Sequence, residues 1–344
     1  MSSASEKRSF RGVGTLIAGI LGLSLAAWML WSYGAARVIE VLVRAGWLGT
    51  LAVVAFHLPQ MLFAALGWKT ITGPCAAQSP LRTYLLLRWI REGIDNLLPV
   101  AQIGGECVAA RLLQRRGVPL ASAVSSTIAD LLMEIATEIP FAVLGLALLL
   151  HFAGESAIAV LVARVLLFAS LVLAGVFAAL GVGLTAAIER RIVRLGCSLG
   201  WPATARIEGL HDALKACYRA PGRVVLAALW HLASWLLGGL EVWLILHLFG
   251  HDIGLGPALV IESMGQVSKS LGFAIPGAVG VQEGGYLVVC GLLGISPEVG
   301  LATSLMKRLR EVVWGVPALV AWHWAETNAK ASVASLGPIS GGNQ

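Results

Sequence analysis

Asp130, Glu134 and Glu138 recur every four residues within a run of Leu, Ile, Met and Ala, so a helix would carry all three carboxylates along one face. A second apolar run holds Lys307, Arg308, Arg310 and Glu311. An ionisable group at the centre of a membrane helix costs at least about 2.5–3.5 kcal/mol, so several such groups must pair with one another or meet water. Two readings follow. The charges are an internal salt-bridge network that holds the molecule together, or they line a polar groove for a headgroup or a coupling proton.

Two more charged clusters precede Pro/Gly-rich breaks. Arg88, Arg91, Glu92, Asp95 and Asn96 lead into Pro99, Gly104, Gly105 and Glu106, while Glu262, Gln266 and Lys269 lead into Pro276, Gly277, Gly280 and Glu283. Proline removes a donor and restrains its predecessor, and glycine allows a tight turn, so each segment is expected to be a helical hairpin broken at its tip. A half-helix starting at the break would aim its positive end into a cavity, where it suits a phosphate or carboxylate. Glu106 and Glu283 either cap those helix starts or contact substrate or a proton. Glu241, His231 and His247 form a further polar set, read as packing residues or as a relay.

The elements that must position these groups repeat. Pro80 and Pro257, Pro99 and Pro276, Glu106 and Glu283, Gly117 and Gly294, Glu134 and Glu311, and Pro140 and Pro317 are all 177 residues apart. Hydrophobic residues make up 57% of the 344 residues and charged ones only 13%, about half the share usual in soluble domains. Runs long enough to cross about 30 Å of hydrocarbon lie near 13–34, 47–68, 120–151, 157–187, 223–248 and 296–324. The expected fold is therefore an all-α polytopic membrane protein with about six full spans and two re-entrant helical hairpins, at 80–117 and 257–295. Three spans separate the starts of the two copies, an odd number, so the copies are expected to be inverted repeats. Inversion would let the acidic and basic helices face each other.

The expected organisation is an N-terminus, anchor helix and outer-surface helix over 1–46, a first repeat over 47–152, and a connecting span with a basic linker over 153–222. A second repeat follows over 223–329, then a disordered tail over 330–344. On this arrangement sixteen Lys and Arg fall on one side, Arg37 and Arg44 on the other, and seven within spans or hairpin arms. The excess of positive charge places both termini in the cytoplasm. Arg37, Glu40 and Arg44 share a face that suits a helix lying on the outer surface. The tryptophans, Trp28, Trp31, Trp47, Trp68, Trp89, Trp322 and Trp324 among them, fall mainly near span ends and read as an interfacial belt.

Several functions are excluded as expectations. The five cysteines have neither metal-ligand nor disulfide spacing, and the net charge of +6 borders spans rather than forming a nucleic-acid surface. No nucleotide loop, metal-ligand helix or nucleophile with its base appears, so no cofactor, metal or catalytic residue is expected.

Residues 87–141, which include LLPVAQIGGE, and 274–287, AIPGAVGVQEGGYL, carry a resemblance. The chain resembles, from about residue 10 to 325, the flippase-like membrane family that includes the transmembrane half of lysylphosphatidylglycerol synthases, and within it the hopanoid-biosynthesis-associated members. Of a family PGGxGxxE-like break it keeps Pro276, Gly277, Gly280 and Glu283, with Ala278 in place of a glycine. The resemblance implies a bacterial inner-membrane protein that moves a lipid, a hopanoid or phospholipid, between leaflets, with lipid-biosynthesis enzymes as partners. The synthases add a soluble aminoacyl-transfer domain after this region, and that activity is not carried over to a sequence stopping at Gln344. The rival expectations are a proton- or ion-coupled carrier of a small polar solute and a non-transporting scaffold for lipid-modifying enzymes.

Overall fold

The computed structural model describes residues 35–73, 79–98, 104–154, 209–272 and 275–334, with scattered helical positions between 24 and 31 and between 157 and 179. The spans expected at 13–34 and 157–187 fall almost wholly outside these stretches, as do Pro99 and most of the basic linker. The helices are α1 (Ala35–Arg44), α2 (Gly46–Thr72), α3 (Leu81–Leu97), α4 (Gly104–Gln114) and α5 (Leu120–Ala153), followed by α6 (Leu210–Cys217) and α7 (Pro221–Leu248). Then come α8 (Leu255–Leu271), a 3-10 turn (Pro276–Ala278), α9 (Val281–Leu292) and α10 (Pro297–Ala334). No strand occurs among the described residues.

Three of these helices, α2, α5 and α7, are long and apolar enough to cross a membrane by length and composition. Helix α10 runs for 38 residues, but Lys307, Arg308, Arg310 and Glu311 interrupt its apolar surface. It also reaches Ala334, into the segment expected to be a disordered tail. Proline occupies the first position of α7 and α10, where its missing N–H has no intrahelical role. Gly117 and Gly294 turn the chain into α5 and α10 with φ of 91° and 72°, in the left-handed region where a side chain is disfavoured. The helix starts 46, 81, 104 and 120 are followed by 221, 255, 281 and 297, so the last two pairs keep the 177-residue spacing.

The first hairpin arms do not keep it. Leu81–Leu97 corresponds to Leu255–Leu271 at a spacing of 174, so Pro80, which precedes α3, has no structural equivalent in Pro257, the third residue of α8. The second break is three residues longer and uses the excess to form the 3-10 turn. There Gly277 approaches α3 so closely that a Cβ would lie 2.8 Å from the Asn96 carbonyl oxygen. Ala278 takes up φ 51°, a left-handed conformation forced on an ordinary L-residue.

Packing mirrors the repeat. Contacts of α2 with α3, α3 with α4, and α4 with α5 are matched by those of α7 with α8, α8 with α9, and α9 with α10. Across the halves α2 packs on α7, while α3 lies on α10 and α8 lies on α5. One apolar core is built from α2 to α7, around Trp68, Ile90, Leu112 and Met133; the other from α1, α2, α5 and α7 to α10, around Val242, Ile261 and Tyr286. Small residues permit the cross-half contacts. A Cβ on Gly93 of α3 would sit 2.7 Å from the Ala318 Cβ of α10, and one on Gly145 of α5 would overlap the Ser263 hydroxyl of α8.

Helix α1 buries Val38 and Val41 and leaves Arg37, Glu40 and Arg44 exposed, together with Ile39 and Val43. Trp28, Trp31, Trp47 and Trp324 are exposed. Trp68 departs from the expected belt: it is fully buried and donates through Nε1 to Ser126 Oγ at 2.7 Å. Trp89 donates to the Trp314 carbonyl of α10 at 2.9 Å.

Two substitutions test this packing by thermal unfolding in detergent. Gly93→Val overpacks the α3–α10 contact and is expected to destabilise by about 1–3 kcal/mol, whereas Gly291→Ala, whose Cβ would meet nothing within 4 Å, leaves stability unchanged or raised. Ala278→Gly should stabilise by about 1 kcal/mol through release of the left-handed strain; a lowered melting temperature would contradict that account of the turn.

Candidate functional site

A cavity of about 700 Å³ lies where the two halves meet. Helix α3 contributes Arg88, Arg91, Glu92, Asp95 and Asn96, and α5 contributes Glu134 and Glu138. From the second half come Glu262, Gln266, Lys269 and Ser270 of α8 with Lys307 and Arg310 of α10, while His57, Gln60 and His231 close it from α2 and α7. One flank is apolar, formed by Leu131, Ile135 and Ile139 together with Val165, Phe168 and Val172. Ile135, Phe168 and Val172 are exposed on the molecular surface, so the charged interior opens past an oily edge.

In the first half a single guanidinium gathers the acids. Arg91, 4% exposed, has Nη1 2.5 Å from Asp130 Oδ2 and Nε 3.0 Å from Glu106 Oε1, and donates through Nη2 to Glu134. Arg88 holds the other Glu134 oxygen. His231 Nε2 lies 3.1 Å from Asp130 Oδ1, and the Trp68 ring lies 6.0 Å from the Arg91 guanidinium carbon, on which an aromatic face exerts a cation–π attraction.

The second half distributes its cations. Lys307, 2% exposed, donates to Glu262, which also accepts from Tyr286 Oη and Gln266 Nε2, each at 2.9 Å. Arg310 Nη1 meets both Glu241 oxygens, at 2.9 and 2.6 Å. Arg308 joins Glu283 and Glu311 at 3.0 Å each and donates to the Gly277 carbonyl at 2.7 Å, which ties α10 to the 3-10 turn.

Polar contacts also cross between halves. Lys269, which pairs with Glu311 in its own half at 2.8 Å, donates across to Asn96 at 2.9 Å; Ser270 donates to Glu138 at 2.7 Å; Gln60 donates to Glu241 at 2.9 Å. Arg310 also lies 3.1 Å from His57 Nδ1. An arginine only donates, so His57 accepts at Nδ1 and donates from Nε2 to Glu92, 2.7 Å away.

Most of the charges marked out from sequence thus converge on one place, with different partners from those expected. Asp130 and Glu134 of α5 are held by α3 of their own half, and Glu138 by Ser270 of α8, rather than by the α10 cations. Gly105 N–H donates to Asp95 Oδ1 at 2.8 Å and Gly280 N–H to Glu283 Oε2 at 2.6 Å. Carboxylates therefore fill both helix starts, and the positive ends expected to receive an anion are already neutralised. Glu283 is the capping residue its position allowed; Glu106 instead holds Arg91. His57, Gln60 and Tyr286 were not singled out from sequence, and their signal is a polar residue inside an apolar run.

Acids predominate in this region. Glu92, Asp95, Glu106, Asp130, Glu134, Glu138, Glu241, Glu262, Glu283 and Glu311 outnumber Arg88, Arg91, Lys269, Lys307, Arg308 and Arg310. Among the described residues no cation lies within 4.0 Å of Asp95 or Glu138, and no group of three or more His, Cys, Asp or Glu could hold a metal ion. The arrangement suits a polar, hydrogen-bonding guest whose apolar remainder stays at the oily edge.

Comparison with known proteins agrees with a membrane setting. The family described as "Lysylphosphatidylglycerol synthase TM region" matches residues 14–318. A protein described as "UPF0104 membrane protein" from Methanothermobacter thermautotrophicus is 25% identical over 309 residues, 84% of this chain and 89% of the relative. No solved structure matches.

The Arg91 cluster makes a contrast that thermal unfolding can read. Arg91→Ala leaves buried carboxylates without their cation and should destabilise by about 3–5 kcal/mol. Arg37→Ala, which breaks the exposed pair with Glu298 at 3.4 Å, should cost less than about 1 kcal/mol. Equal effects would show that the buried cluster is not what holds α3 to α5.

Proposed function

Because the chain belongs to the family of the lysylphosphatidylglycerol synthase TM region, a family of multi-pass membrane proteins, we propose that it is a lipid carrier that moves a polar lipid between leaflets. The observation that carries this reading is the cavity with a charged interior and an apolar flank. Its volume lies within the roughly 300–1,000 Å³ typical of sites for small ligands. A headgroup enters among the Arg88, Glu134, Lys269 and Lys307 side chains while its hydrocarbon body remains beside Ile135 and Phe168. Hopanoids and phospholipids are the cargo classes that the sequence resemblance suggests. The protein acts without catalysis, in the bacterial inner membrane with both termini in the cytoplasm.

Carriers of this kind commonly place the site between inverted repeats. The inverted reading is supported by the order of the helices, by the mirrored contacts and by the odd number of spans expected between the copies. The hairpins α3–α4 and α8–α9 are re-entrant on this reading, which requires protein or water around any broken backbone at membrane depth. A carrier of a small polar solute would be better served by a sealed polar cavity, and a scaffold by charges paired with no space between them. The open apolar flank favours the lipid reading over both.

Purified protein in liposomes should accelerate leaflet exchange of fluorescent phosphatidylglycerol or a labelled hopanoid. Ile135→Trp at the oily edge and Glu134→Gln in the interior should each slow exchange about tenfold, equivalent to 1.4 kcal/mol of barrier. Exchange no faster than in protein-free liposomes would end the proposal.

A further inference from the structure

The oily edge of the cavity lies where α5 and α8 part. These helices pack antiparallel: a Cβ on Gly256 would meet the Phe152 ring at 2.8 Å, one on Gly145 would overlap Ser263, and Ser270 donates to Glu138 at 2.7 Å. Helix α8 ends one residue later at Leu271, which is 60% exposed, and beyond that layer Glu134 and Leu131 of α5 line the cavity.

Helices α3 and α10 form the equivalent seam. A spacing of 174 residues carries α3 onto α8, and one of 177 carries α5 onto α10. On these spacings Glu134 and Glu138 correspond to Glu311 and Gly315, and Gln266, Val267 and Ser270 to Glu92, Gly93 and Asn96. The first set lines the 700 Å³ cavity, while their counterparts line a cleft of only about 10 Å³ between α3 and α10. The cleft is the same recess, collapsed. It adjoins the cavity, since Met61, Glu92 and Asn96 line both.

Apolar groups fill the collapsed recess. Leu97 lies against Gly315, where a Cβ would meet its Cδ1 at 2.5 Å, whereas its counterpart Leu271 stands exposed. Trp89 and Trp314 meet edge to face with ring centroids 6.3 Å apart, and Trp314 donates to the Val54 carbonyl at 2.9 Å. Outside the seam Val312 is exposed, as its counterpart Ile135 is at the open edge. Among the described residues no salt bridge joins α3 to α10, although Arg88 and Arg91 bind α3 firmly to α5. The seam can therefore part without separating a buried ion pair.

We propose that the α3–α10 seam is a second lipid portal, closed in this conformation by Leu97, Trp89 and Trp314. Equivalent recesses in an inverted repeat exchange roles when one half rocks against the other, so the two portals serve opposite leaflets. Passage of a headgroup through the seam rests on the lipid-carrier reading; its opening to lipid does not.

A phosphatidylglycerol with a photoreactive diazirine beside its headgroup, in vesicles holding the whole protein, reads both portals by mass spectrometry of cross-linked residues. In the unsubstituted protein labels are expected on Ile135 at the open portal and on Trp89 and Trp314 as the closed one opens. Cysteines at 97 and 315 fall within disulfide reach, because Leu97 Cγ lies 2.9 Å from the position of a Gly315 Cβ. Oxidised Leu97→Cys with Gly315→Cys should lose the tryptophan labels, keep the Ile135 label, and exchange fluorescent phosphatidylglycerol at least tenfold more slowly than after dithiothreitol. Unsubstituted protein without tryptophan labels, labels that persist in the oxidised pair, or exchange that oxidation leaves unchanged would each overturn the second portal. Oxidation-sensitive labels in a protein that shows no exchange support the portal and remove only the lipid carrier.

Discussion

A charge buried among apolar helices must be neutralised where it stands, and Arg91 is the group through which the first half meets that requirement. Its planar fork serves carboxylates from α4 and α5, and so fixes the hairpin against the long acidic helix. Lysine could not reproduce those directions. The tie between α3 and α5 and the placement of Glu106 beside it run through that guanidinium.

Buried ion pairs seldom add net stability, since the desolvation of two charges about cancels their attraction. A membrane protein held together only by packing would do better with leucine at these positions. On the lipid-carrier proposal the charges are the lining of a working space, and the two halves solve their pairing unevenly. At corresponding places Arg88 lies 3.8 Å from Asp130, whereas Glu262 accepts from Lys307, the same contact with its signs reversed. The cavity is therefore electrically asymmetric although the helices around it repeat.

The long helices, the two broken hairpins and the four-residue spacing of the α5 acids were legible in the sequence because each has a local cause: apolar length, proline and glycine chemistry, and helical periodicity. The partners of the charges were not. Periodicity places Glu134 on a face but does not say that α3, rather than α10, lies against it. The three-residue slip between α3 and α8 was hidden because Pro80 and Pro257 matched by spacing while the length difference lay in the break. His57 and Gln60 look, in sequence, like any single polar residue in an apolar span, and Trp68 looks like its interfacial neighbours until its indole is seen bonded to Ser126.

The ties between Arg88 and Arg91 and the carboxylates of α4 and α5 lie wholly within residues 88–134. During synthesis the N-terminal part of a chain emerges and organises first. The amino-terminal half can thus pair both guanidiniums before the carboxy-terminal half exists, while Asp130 gains its neighbour His231 only when α7 arrives.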